Sequence, residues 1–106
     1  GERRYATLHA RMSTLEGPPH EIDEVLREIR EHVLPLLQQQ DGFEGFITLE
    51  DRRSGKLIGI TFWESEQAMQ ASEEVGVRTR SETAEVTGDA IEVVERYEVG
   101  LFEMSS

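Results

Sequence analysis

Histidine is the side chain whose charge changes most readily near neutral pH, so His9, His20 and His32 are the first places to look for acid–base chemistry. They share no ligand spacing: there is no His-x-x-x-His or His-Glu-x-x-His pattern, and without Cys the chain has no thiolate to complete a metal set. No metal is expected. His9 lies in an alternating stretch and could act as a general base if its face of the strand lies under helices; it could equally be a half-buried sheet residue. His32 borders an apolar helical stripe beside Ile29 and Val33, where it could contact the same ligand or simply mark the helix edge. His20 reads as a loop residue. Trp63 is the only Trp and could stack on a flat aromatic ligand or plug the core, while Tyr97 could orient a ligand hydroxyl or merely pack. Arg78 and Arg80 could reach an anion at a pocket mouth or lie in solvent. Glu64, Glu66, Glu73, Glu74 and Glu82 read as a solvated helix face, and no phosphate-loop or nucleophile-elbow spacing occurs.

The elements that must position these residues are legible from periodicity. Tyr5 to Met12 alternates, with Ala6, Leu8, Ala10 and Met12 on one face and Tyr5, Thr7, His9 and Arg11 on the other, and reads as a first strand. Ser13 to Pro19 breaks that pattern. A helix then begins near Pro19, with Glu21, Asp23 and Glu24 at the positive end of its dipole. Ile22, Val25, Leu26, Ile29, Val33, Leu36 and Leu37 form its apolar stripe, and Pro35 should kink it or end its regular part. Phe43 to Glu50 and Lys56 to Trp63, separated by a polar link ending in Gly55, read as a β-hairpin. Neither strand has a polar face, since Phe43, Ile47 and Leu49 lie on one parity of the first and Phe46 on the other. A sheet apolar on both faces needs cover on both. Ser65 caps a second helix that Gly76 should kink, residues 77–86 are helix-compatible, and Asp89 to Phe102 reads as a last strand.

The resulting βαββαβ order is α+β and ferredoxin-like: an antiparallel sheet with both helices on one face. A second copy of the chain is the most economical cover for the other face, so a homodimer through the sheet is expected. The 106 residues are expected to form a single domain, 1–106. A net charge of -11 repels phosphate backbones and anionic bilayers, which argues against nucleic acid and membrane partners. No apolar run is long enough to span a bilayer and no signal peptide is evident, so a cytoplasmic location is expected.

Asp41-Gly-Phe-Glu-Gly-Phe, the hairpin, and above all Ile60-Thr-Phe-Trp-Glu-Ser-Glu-Gln-Ala resemble the antibiotic-biosynthesis monooxygenase family of dimeric α/β barrels. Val33-Leu-Pro-Leu-Leu and the final Glu95-Arg-Tyr-Glu-Val extend the resemblance over nearly the whole chain. It implies a dimeric α/β barrel in which two sheets face each other. It also implies a cofactor-independent monooxygenase acting on a flat phenolic or quinol substrate, with no bound metal or flavin. His9 would be base or anchor, Trp63 and Tyr97 walls, and His32 a second polar contact. Haem-degrading relatives use an Asn on the first strand and a Trp and a His on the second helix. The matching positions here lie near His9 and Ser72, and residues 75–86 contain no His, so haem degradation is not expected. The alternative is a non-catalytic dimer that kept the barrel as a ligand-binding or stress-associated module.

Overall fold

The structure, a computed structural model, describes residues 8–78 and 91–105. Four strands, β1 (His9–Glu16), β2 (Phe43–Asp51), β3 (Lys56–Trp63) and β4 (Ile91–Glu98), form one antiparallel sheet in the order β2-β3-β1-β4. The order is the ferredoxin-like α+β arrangement, with the helices against one face. β1 runs four residues beyond the expected end at Met12. Its Ser13-Thr14-Leu15-Glu16 segment is weakly apolar, but it pairs on both sides, with β3 and β4, and buries Leu15 against Val25 and Leu57. Tertiary pairing overrides the weak local pattern.

The first helical segment opens with a 3-10 turn at Pro19–Glu21 and continues as α1 (Ile22–Glu28). A π-helical turn, Ile29–Val33, then leads into α2 (Leu34–Gln38). Pro35 has no amide hydrogen and crowds the preceding turn, and the helix widens just before it, with Leu34 N–H reaching back to Ile29 O. The apolar stripe is preserved through the change. Val33 and Leu37 pack with Trp63 and Met69 in one cluster, while Val25 packs with Leu15 and Leu57 in a second, and Ile29 touches both.

The hairpin departs from simple alternation at one point. β2 and β3 pair Phe43 with Trp63 and then Gly45 with Phe62, so a bulge at Glu44 shifts the parity of the strand. Phe43 and Phe46 therefore both pack toward the helices, rather than one on each face as alternation predicts. The helix-free face remains apolar: Ile47, Leu49, Val93 and Tyr97 are 45–52% exposed there, above half-buried Met12, Ile58, Ile60 and Phe62. Beyond β4 the chain is no longer strand, and Phe102 lies edge-on to Phe62 with ring centroids 5.5 Å apart.

Ser65 caps α3 (Glu66–Ala71), its Oγ accepting from Ala68 N–H at 3.0 Å. The interruption expected at Gly76 occurs instead at Ser72, whose hydroxyl donates to Met69 O at 2.7 Å. Gly76 is buried within the helical residues 73–78, donating to Ser72 O at 2.9 Å. Residues 79–86, expected to extend this helix, and residues 89–90, expected to begin β4, lie outside the described residues.

The hairpin turn is set by Asp51, whose Oδ1 accepts from Arg53 N–H and Ser54 N–H, and by Gly55 at φ 86°. A Cβ on Gly55 would meet Gly17 O at 1.9 Å, a backbone atom that cannot swing aside. Gly55→Ala should therefore lose at least about 2 kcal/mol of stability from the left-handed conformation and the clash together. Gly17→Ala, whose Cβ would meet nothing within 4 Å, should stay within about 0.5 kcal/mol of the native chain. Urea unfolding of the two variants checks the contrast.

Candidate functional site

Odd positions of β1 and β3 face the helices, and this surface gathers the polar side chains of greatest chemical interest. His9 stands between Trp63 on β3 and Glu98 on β4 in the strand register and is half-buried. Two residues along the same face lies Arg11, 3% exposed, flanked by Thr61 and Arg96. Arg11 Nη1 donates to Met69 O at 3.2 Å, to Ser72 Oγ at 3.0 Å and to Glu73 Oε2 at 2.8 Å. Arg96 grips the same carboxylate through Nε to Oε2 at 3.1 Å and through Nη2 to Oε1. One carboxylate thus receives two guanidinium groups, one buried and one half-exposed.

Trp63 is fully buried. Its Nε1 donates to Thr61 Oγ1 at 2.8 Å, Phe43 meets it edge-on at 5.5 Å, and the Arg11 guanidinium carbon lies 5.4 Å from its ring centroid. Each polar group near the ring has a partner, which is what a buried indole requires. In the single chain Trp63 is a core group, enclosed by Val33, Leu37 and Met69.

The four candidates from the sequence do not converge. His9 and Trp63 are cross-strand neighbours on the helix side. Tyr97 lies on the opposite, helix-free face, opposite Ala10, and its hydroxyl donates to Glu95 Oε2 at 2.6 Å. That bond pushes the phenol's ionisation above its ordinary value. His32 projects from the outer side of the π turn with its side chain 60% exposed, bonded through Nδ1 to Glu28 at 2.9 Å. His20 is exposed, Arg78 is exposed, and Arg80 lies outside the described residues. A groove of about 260 Å³, lined by Thr14, Glu16, Lys56, Val93 and Glu95, opens on the helix-free face, away from His9 and Trp63. Among the described residues no three His, Asp or Glu side chains come together as a metal-holding group.

Sequence reasoning missed Arg11, Ser72, Glu73 and Arg96. The available signal was parity: an arginine sharing a core-facing strand face with His9 must be buried and must have an anion. Its anion is Glu73, a residue that helical periodicity places among solvated glutamates.

The chain belongs to the antibiotic biosynthesis monooxygenase family, whose sequence pattern matches residues 8–75. Nothing narrower than the family is established by the relatives. An uncharacterised protein of Mycobacterium tuberculosis is 36% identical over 92 residues, covering 87% of this chain and 41% of that protein, so the chain spans less than half the length of this curated relative. A dimeric ferredoxin-like protein from an uncultured marine organism superposes with a TM-score of 0.66 at 12% identity, covering 96% of each chain. A Streptomyces coelicolor monooxygenase in complex with nanaomycin D superposes with a TM-score of 0.65 at 13% identity, covering 94% of this chain and 95% of that one. Both structural likenesses bear on fold.

The Glu73 cluster generates a pH prediction. Hydrogen bonds from Arg96, then from Arg11, together with their charges, hold the Glu73 carboxyl at about 2, against an ordinary 4.5, overcoming the opposing effect of burial. A carboxyl depressed in the folded state contributes stability that is complete above the ordinary value and disappears as pH falls from about 4.5 through about 2. Thermal unfolding of native chain and Glu73→Gln across that range should show the native chain losing its advantage progressively, with the two curves converging at the acid end.

Proposed function

We propose that the protein is a homodimeric, cofactor-independent monooxygenase that oxidises a flat phenolic or quinol substrate with molecular oxygen. The observation that carries the reading is the family match over residues 8–75, with the sheet-to-helix surface supplying His9 beside a fixed buried cation at Arg11. In this reading the substrate lies against that surface and His9 takes the phenolic proton. The phenolate passes one electron to oxygen, and the radical pair joins to form a carbon–oxygen bond. Cleavage of the oxygen–oxygen bond then leaves one oxygen atom as a new carbonyl and releases the other as water, so a phenol and dioxygen become a quinone and water. The charge of Arg11, two residues along the same face and itself bonded to Glu73, favours the phenolate and the oxygen-centred anions from a distance. A non-catalytic dimer is the second reading, favoured by the complete burial of Trp63, which leaves its ring no free face in the single chain.

The homodimer reading is supported by the exposed apolar row Ile47, Leu49, Val93 and Tyr97, for which a second copy is the economical cover. The dimeric neighbour of the same fold adds to it. Light scattering on the eluting protein at micromolar concentration should give twice the 12.1 kDa chain mass, and a mass near that of one chain would remove the dimer. Oxygen uptake with model hydroquinones should exceed the buffer blank and fall at least about a hundredfold in His9→Ala, the lower end of what a general base contributes. Uptake equal to the blank for both proteins would leave the non-catalytic reading.

A further inference from the structure

Arg11 and Arg96 stand directly opposite one another on β1 and β4, on the same face of the sheet, a placement in which like charges repel. The chain has only 11 Lys and Arg against 22 Asp and Glu, so a facing pair of arginines, one of them 3% exposed, is not surface solvation. Both converge on one carboxylate, and Arg96 takes its two oxygens through two different nitrogens. That planar fork is the geometry by which guanidinium groups recognise carboxylates. The carboxylate belongs to Glu73, which follows the interruption at Ser72 and has a side chain 28% exposed. Its side chain therefore already meets water on one side.

We propose that Arg11 and Arg96 form a carboxylate-binding subsite, which Glu73 fills as an internal ligand and which the carboxylate of an organic acid takes by displacing it. The inference rests on the reading that the sheet-to-helix surface is the substrate surface, and it narrows the substrate class to flat phenols bearing a carboxylate. Ser72 Oγ and Met69 O also accept from Nη1, so groups other than Glu73 help to hold the Arg11 guanidinium. Trp63 backs the same guanidinium from its ring face. No covalent bond changes in the exchange: one ionised carboxylate leaves for water and another enters. An internal carboxylate on a short tether competes at an effective concentration in roughly the millimolar range, so an external acid should bind the native chain weakly and the vacated site more tightly.

The test is titration of benzoate into the native chain, Glu73→Gln and Arg96→Gln, followed by calorimetry and by NMR of the arginine side-chain Nε–H groups. The native chain should bind benzoate with a Kd in about the millimolar range, with the Arg96 Nε–H signal shifting on addition. Glu73→Gln should bind about tenfold tighter, and Arg96→Gln, altered at a half-exposed residue, should bind about tenfold more weakly than the native chain with its fold intact. Equal affinity in the native chain and Glu73→Gln overturns the proposal, as does an unmoved Arg96 signal in the native chain at benzoate levels that saturate the variant. Should Glu73→Gln fail to fold, the native chain against Arg96→Gln decides: equal affinities overturn the subsite. Oxygen uptake with a failed benzoate titration removes only the subsite, whereas benzoate binding without oxygen uptake removes only the oxygenase reading.

Discussion

The interaction on which the arrangement of sheet and helices depends is the buried guanidinium of Arg11. It sits on a central strand, donates to the last turn of α3, to Ser72 and to Glu73, and lies over the ring of Trp63. A buried cation is costly to desolvate and tolerable only when its hydrogen bonds and countercharge are supplied together. That requirement fixes where α3 ends and which way residues 73–78 leave it. It also ties β3 to β1 through a chain of contacts, since Trp63 bonds to Thr61 and the Thr61 hydroxyl lies 3.5 Å from Arg11 O. Apolar packing of Val33, Leu37 and Met69 around Trp63 gives this end of the molecule its bulk, and the polar contacts of Arg11 give it one orientation.

The two sides of the sheet solve different problems. Beneath the helices, the bulge at Glu44 brings both Phe43 and Phe46 inward, so β2 gives up strict alternation to fill the space beside Trp63. On the other side, Ile47, Leu49, Ile58, Ile60, Phe62 and Met12 make a surface too apolar to be explained by strand propensity alone, and Phe102 covers part of it. The pair Tyr97–Glu95 adds a polar element to this face beside Thr14, Glu16 and Lys56, and its hydrogen bond satisfies the phenol within the same strand.

Much of the fold was legible because it is carried by local signals: the β-branched runs flanking Gly55, the helical stripe from Ile22 to Leu37, and the Ser65 cap. The end of β1 was not, because Ser13 and Thr14 look like loop residues until two neighbouring strands pair with them. The bulge at Glu44 was not, because it leaves no trace in composition. The site was less legible still. Arg11 and Glu73 are 62 positions apart, and no spacing rule joins a strand arginine to one glutamate among several on a later helix. Trp63 and Tyr97 looked equivalent as aromatic candidates, yet strand parity separates them onto opposite faces.

The widened turn at Ile29–Val33 has a consequence for how this helical region tolerates insertion and deletion. A π turn holds one residue more than an α turn, so it lets the chain gain a residue while leaving the flanking turns pointed as before. Here it keeps Val25 over Leu15 and Leu57 and, past Pro35, keeps Leu37 over Trp63. Keeping every residue but forcing that turn into regular α geometry would instead rotate everything after it by roughly 100°. The locally straighter helix would then turn Leu37 away from the indole, so the irregular turn is what keeps the two hydrophobic clusters in phase.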